Sequence, residues 1–266
     1  MESTAILAGT AAAHGPRWSA RAADWAQLNA RHAQPAWEAV ADATAIGTAT
    51  RVLDVGCGSG EFAALATARG GVVSGIDAAE RMIEIARRAV PEADFRVGAM
   101  EDLPWEAGRF DVVTAFNALQ FAADPVIALR EARRVVRPGA LVAICNWGLP
   151  RDNELLTIAS ALRELRPPAP AVPTGPAFGQ PGVLEELARR AGLRPVRGDE
   201  VDAPFRARDE DTLERAVLAA GGTAPAVEHA GEERVREAIA RAALPFRRRD
   251  GSYSMENRFR YLVARV

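Results

Sequence analysis

The chain has 266 residues, 48% of them hydrophobic and 26% charged, with a formal net charge of -2. That composition excludes a disordered or fibrous protein, and the near-neutral charge gives no electrostatic basis for binding nucleic acid or an anionic membrane. Two cysteines, Cys57 and Cys145, are too few for a disulfide framework or a cysteine zinc site, so reduced thiols and no metal are expected.

In chain order, the opening "MESTAILAGTAAAHGPRW" lacks the basic residues and the unbroken apolar run of a signal peptide. No apolar run is long enough to span a bilayer, and a cytoplasmic protein is expected. The next stretch, "WSARAADWAQLNARHAQPAWEAVADA", reads as helices packed over a sheet. Residues 1–50 are therefore expected to form an N-terminal helical cap.

From Arg51 to Gly148 short β-rich runs alternate with helical ones. They read "RVLDVG", "EFAALATARG", "VVSGID", "AAERMIEIARRAV", "ADFRVGAM", "FDVVTAFNAL", "DPVIALREARRVVRPG" and "ALVAICNWG". Nearly continuous apolar strands separated by amphipathic helices predict a parallel sheet covered on both faces. Glycines and prolines at 70, 71, 91, 138 and 139 predict the helix ends. Residues 51–148 form the expected core.

Beyond Gly148 the pattern changes. "ELLTIASALRELR" is helical and "PPAPAVPTGPAFGQPG" is a proline and glycine loop, so residues 149–182 are expected to be a lid or cap insertion. Residues 183–266 then bring a helix ending at Gly192, a strand in "RPVRGDEVDAPFRA", a helical insertion at about 209–244, and a last strand in "NRFRYLVARV".

The ligand of the glycine turn after the first strand is the central question. A dinucleotide fingerprint places glycines at the first, third and sixth positions, so that a helix N-terminus can face a pyrophosphate. Here Gly56, Gly58 and Gly60 are spaced G-x-G-x-G, and Glu61 holds the sixth position. Asp54 precedes the turn and Glu61 opens the helix. Two carboxylates repel a pyrophosphate but suit a cofactor carrying an ammonium and a sulfonium. Asp77, 23 residues beyond Asp54, ends the second strand, where a carboxylate accepts hydrogen bonds from ribose hydroxyls in NAD sites and S-adenosylmethionine sites alike.

Over residues 51–148 the chain resembles the class I S-adenosylmethionine-dependent methyltransferases, especially the small-molecule branch related to the ubiquinone and menaquinone biosynthesis enzymes. The matching stretches are "VLDVGCGSG", "GIDAAERMIEIAR", "GAMEDLPWEAGRFDVVTAFNALQF" and "EARRVVRPGALVAI". The resemblance implies an α/β, Rossmann-like, seven-stranded, mostly parallel sheet with helices on both faces, an antiparallel last strand and a helical cap. It also implies S-adenosyl-L-methionine as cofactor and a small-molecule acceptor methylated at oxygen, carbon or nitrogen, in secondary or quinone-like metabolism. A homodimer is an open alternative to a monomer.

Residue by residue, the resemblance implies that Asp54, Gly56 and Gly58 hold the methionyl end, with Cys57 a small residue of the same turn. Asp77 takes the ribose, with Ala78 and Met82 beside the adenine. Ala99 stands where the family usually has an acid for the adenine amino group, so adenine recognition falls to Met100, Glu101 or Asp102. Asn117, ending the fourth strand, sits near the sulfonium. Trp18, Trp25, Gln120, Phe121, Trp147 and Phe178 are candidates for contacting the acceptor, and the rings among them are equally readable as packing. His14, His32 and Tyr253 are candidates for a base. Each of them, and His229, reads first as a surface or cap residue.

Three other functions remain open at this stage. A nucleic-acid methyltransferase is disfavoured because "NALQ" replaces the Asn/Asp-Pro-Pro-aromatic turn of many base-amino methylating enzymes. Glu61 and the missing sixth glycine oppose an NAD-dependent dehydrogenase. The third function uses the cofactor as a scaffold for a non-methylating step such as cyclisation.

Overall fold

The computed structural model describes residues 2–29, 31–168 and 176–266. Part of the predicted proline loop, residues 169–175, lies outside the described residues. Three helices come first: α1 (Glu2–Ser19), α2 (Ala22–Leu28) and α3 (Gln34–Ala43). Alternation then begins with β1 (Arg51–Val55), α4 (Glu61–Ala68), β2 (Val72–Asp77), α5 (Glu80–Ala89), β3 (Asp94–Val97) and β4 (Phe110–Phe116). It continues through α6 (Pro125–Val135) and β5 (Val136–Trp147). The helix before β5 stops three residues short of Pro138, because Val136 already pairs with Phe110 of β4 and a register shift follows.

The sheet has seven strands in the order β3, β2, β1, β4, β5, β9, β6, where β6 is Arg194–Asp202 and β9 is Arg258–Arg265. Strand β9 runs antiparallel to both neighbours, and the other pairings are parallel. In β1, Val52, Leu53, Asp54 and Val55 are all buried, as a central strand covered on both faces requires. One face packs Leu53, Val113 and Ile144 against α6 and α8 (Val183–Arg190). The other packs Val52, Val73 and Val112 under Phe62, Ile83 and Ala41. At the sheet edge β6 shows solvent Arg194, Arg197, Asp199 and Asp202, a charged row that discourages pairing with another chain.

A second, smaller core lies beyond the sheet. It is built from α7 (Leu155–Ala161), α9 (Glu210–Ala219), α10 (Ala224–Ala230), α11 (Glu232–Ala243) and a two-stranded ribbon of β7 (Phe205–Ala207) with β8 (Tyr253–Met255). Ile158, Leu162, Phe205, Leu213, Val235 and Ile239 fill it. The predicted single strand over 194–207 is thus two, because the chain leaves the main sheet after Asp202 to pair with β8 instead.

The first three helices close over the gap between this second core and the strand ends. Arg21 of the α1–α2 link pairs with Glu232 at 2.5 Å, Asp24 with Arg215 at 2.5 Å, and Asn29 Nδ2 donates to the Ala216 carbonyl at 3.0 Å. Helix α1 also approaches the β2 end so closely that a Cβ on Gly15 would stand 2.4 Å from the Ala78 carbonyl oxygen. Only glycine allows that approach.

Candidate active site

The strand order reverses between β1 and β4, and in such sheets the crevice at that point, outside the strand C-termini, is where ligands bind. A cavity of about 390 Å³ opens there. Gly56 has a φ of +72°, and a Cβ on it would lie 2.3 Å from the Ala118 Cβ, so the turn after β1 can meet the end of β4 only with glycine in this place. The Gly58 amide donates to Asp77 Oδ2 at 2.9 Å and the Ala79 amide to Asp77 Oδ1 at 2.8 Å. Asp77 is thereby clamped at the β2 terminus while still lining the cavity.

Four carboxylates gather on this floor: Asp54, Glu61, Asp77 and Glu101. Burial pushes the Asp54 carboxyl up to about 8, although the Thr114 hydroxyl, donating to it at 2.8 Å, works the other way. Burial likewise raises Asp77, against the Ala79 and Gly58 amides, and Glu61, against its bond from the Ser59 hydroxyl. The Cys57 thiol is held well above its ordinary range by burial and by Asp77, Asp54 and Glu61, so it is no nucleophile. Among the described lining residues the only permanent cation is Arg166, which donates to the Gly222 carbonyl at 2.7 Å. A buried cluster of acids with no cation beside it suits a ligand that brings positive charge and is hostile to a pyrophosphate.

Met82, Ala78, Ala99 and Met100 line the same cavity. Of the two nearby acids, Glu101 is buried and accepts the Ala123 amide at 2.7 Å, whereas Asp102 is exposed and outside the lining. Asn117 sits in the left-handed region at φ +49°, held by its amide on the Cys145 carbonyl, and its buried Oδ1 has no partner. An asparagine in that conformation at a strand end is strain of the kind that collects at functional sites. Gln120 Oε1 accepts from Asn146 Nδ2 at 2.9 Å.

Above the floor, Trp18 meets Trp25 edge to face at 4.7 Å and Phe121 at 5.6 Å, and His14 meets Phe121 at 5.1 Å. All four rings line the cavity, as do Trp147 and His32. Two candidates, Phe178 and Tyr253, lie elsewhere, and so does His229. Phe178 packs against the sheet-side core because its segment runs back toward α8. Tyr253 is 1% exposed inside the second core, donating to Glu210 Oε2 at 3.1 Å, so it faces no ligand. His229 is exposed at the end of α10. Other lining residues come from the second core: Leu155, Ile158 and Leu162 on one side, and Phe205, Val217 and Thr223 on the other. No local motif marks these, since they reach the cavity only through the tertiary fold.

Residues 53–144 match the protein family described as Methyltransferase domain. That stretch is similar to a methyltransferase domain. A curated relative, the ubiquinone biosynthesis O-methyltransferase of Bordetella bronchiseptica, is 33% identical over 151 residues, 55% of this chain and 63% of that protein. The match thus spans less than two thirds of the relative's own length. Among solved structures, an S-adenosylmethionine-dependent methyltransferase of Thermotoga maritima superposes with a TM-score of 0.53 at 18% identity, covering 91% of this chain and 92% of its own. The cyclase SpnF superposes with a TM-score of 0.55 at 21% identity, over 86% and 80%. At such identities both show the fold alone. The stretch similar to that domain covers nearly all of β1 through most of β5, while the first three helices and the second core stand outside it.

Proposed function

We propose that the protein is an S-adenosylmethionine-dependent methyltransferase acting on a small-molecule acceptor. The observation that carries this reading is the clamped Asp77 beside a glycine turn whose other charged neighbours are buried acids. The matched domain and the curated O-methyltransferases support methyl transfer over a cyclisation on the same cofactor. Two buried, unpaired thiols fit a reducing, cytoplasmic setting.

In this reading Asp77 accepts the ribose hydroxyls, and Asp54 and the turn amides hold the methionyl end. Ala78, Met82 and Met100 flank the adenine, with Glu101 in place of the acid missing at Ala99. When bound, the cofactor supplies a methyl group on a sulfonium, whose charge the acids of the floor favour. The roof of α1, α2 and α7 excludes water and holds the acceptor in line, and good alignment alone can lower a barrier by about 7 to 11 kcal/mol. The test is calorimetry with S-adenosylhomocysteine and with NADH, followed by homocysteine-product release across a panel of phenols, amines and enols. Binding of NADH and not of S-adenosylhomocysteine would overturn the reading.

A further inference from the structure

One polar side chain in the acceptor half of the cavity has no partner of its own. His32 sits in the link between α2 and α3, its backbone amide held by the Asn29 carbonyl at 3.2 Å. Its imidazole is set among three rings: Trp147 at 5.3 Å, Phe259 at 5.2 Å and Phe205 at 5.8 Å between centroids. Nε2 is buried and makes no hydrogen bond, while the residue forms part of the cavity wall. Because no bond fixes the ring, none opposes half a turn about Cβ–Cγ that would carry the nitrogen edge to the other side. A buried imidazole nitrogen without a hydrogen bond is costly to keep, and the aromatic neighbours offer it no more than a weak N–H···π contact.

We propose that His32 determines acceptor specificity, hydrogen-bonding the hydroxyl of a flat aromatic molecule that slides against Trp147 and beneath Leu155 and Ile158. The proposal rests on the methyltransferase reading for the use of that molecule, but not for its binding. The polarity of the lining agrees. Trp147, Phe205, Leu155 and Ile158 make the wall around His32 apolar, and the imidazole is the polar group among them. Burial lowers the His32 imidazolium to about 4, so near neutral pH the ring is an uncharged hydrogen-bond partner and a poor store for a proton. In this role His32 orients a hydroxyl.

The chain has three histidines, so the His32 ring signals can be followed by NMR. Phenol and its hydroxyl-free isostere toluene serve as probes, each titrated with and without S-adenosylhomocysteine. In the wild-type protein phenol should shift the His32 ring signals and bind about tenfold more tightly than toluene, the scale of one hydrogen bond. His32→Phe keeps a flat ring in the nest and should bring the two affinities together, with a melting temperature at or above that of the wild type. His32→Gln, which keeps a donor and an acceptor, should retain a preference for phenol and covers the case in which the phenylalanine variant does not fold. The proposal is overturned if phenol does not bind the wild type. It is equally overturned if His32→Phe leaves the preference intact or weakens both probes alike. Failure of S-adenosylhomocysteine to bind, with the phenol preference present, would sink the methyltransferase reading and leave His32 in place.

Discussion

The floor and the roof of the cavity are held together by different physics. On the floor, the Gly58 and Ala79 amides, the Asp77 carboxylate and five consecutive β1–β2 pairs form one hydrogen-bonded unit whose members lie within about one βαβ repeat. On the roof, α1 and α2 are fastened by side chains to segments about 190 to 210 residues later, through the Arg21–Glu232 and Asp24–Arg215 pairs and the seat of Trp18 against Gly221. The β1–β2 ladder is indifferent to side-chain change and the clamp depends on one side chain, Asp77, so a cofactor site of this kind needs few fixed residues. Side-chain fastenings of the second kind vary freely, which lets one floor serve different acceptors.

The contrast can be broken most directly on the floor. Asp77→Ala removes the acceptor of two backbone amides and a carboxylate facing the cavity, and should weaken S-adenosylhomocysteine binding by about 1.5 to 3 kcal/mol, roughly 10- to 150-fold. An unchanged dissociation constant in a folded variant would take Asp77 out of the site. On the roof, Gly15→Val drives a side chain into the Ala78 carbonyl, and overpacking of this kind costs about 1 to 3 kcal/mol. Hydrogen exchange should quicken in α1 and α2 while β1, β2 and β4 keep their protection. If protection falls equally in both, floor and roof are one cooperative unit.

A third expectation concerns charge. The Asp54 carboxyl lies at about 8 when folded, against an ordinary 3.8, so between those values the folded state binds more protons than the unfolded one. This residue's contribution to stability therefore falls as pH rises through that window, and Asp77 and Glu61 are shifted in the same direction. The buried His32 works oppositely between about 4 and 6.5, so the useful range is pH 6.5 to 8. Over it, the melting-temperature gain from the cationic S-adenosylmethionine should grow relative to that from S-adenosylhomocysteine, by roughly 2 to 4 °C for each kcal/mol. Asp54→Asn should flatten the trend, and a wild-type difference independent of pH would remove the acids from cofactor discrimination. Smallest is the Asp24–Arg215 pair, whose groups are a quarter to a third exposed. A double-mutant cycle should give about 0.2 to 1 kcal/mol, shrinking as salt is raised. A value that ignores salt would mean that packing, not charge, fastens the roof.

What could be read from the sequence divides along the same line. Asp54, Gly56 and Asp77 are legible because each follows a strand signal at a fixed spacing, and the strand order then brings those spacings to one crevice. Helix α1 is legible only as part of a helical cap over residues 1–50 and not in its extent, since Gly15 and Pro16 argue against a helix running to Ser19 while the contact with Ala78 rewards one. Tyr253 and Phe178 carry chemistry that suits an acceptor site, but only the path of β8 and the segment before α8 shows that both rings are packed away. Arg166, Val217 and Thr223 carry no local mark at all. They reach the cavity because the chain folds back across it from the second core, and no periodicity records where a distant helix will lie.

Strand β9 has a further consequence for how the molecule comes to be. It is the last strand in chain order, yet it lies between β5 and β6 and is, among the described residues, the only strand to which β6 is hydrogen-bonded in the sheet. During synthesis β1 to β5 can assemble as their segments emerge, but β6 must wait with its backbone groups unpaired until more than fifty further residues have followed. The intervening α9, α10 and α11 and the β7–β8 ribbon are made in that interval, so the roof's own core can be folding before the floor is closed. Closure across that separation is slower than the pairing of neighbouring segments, because the loop's entropy is lost before the contacts form, and the charged face of β6 discourages the waiting strand from pairing with another molecule first.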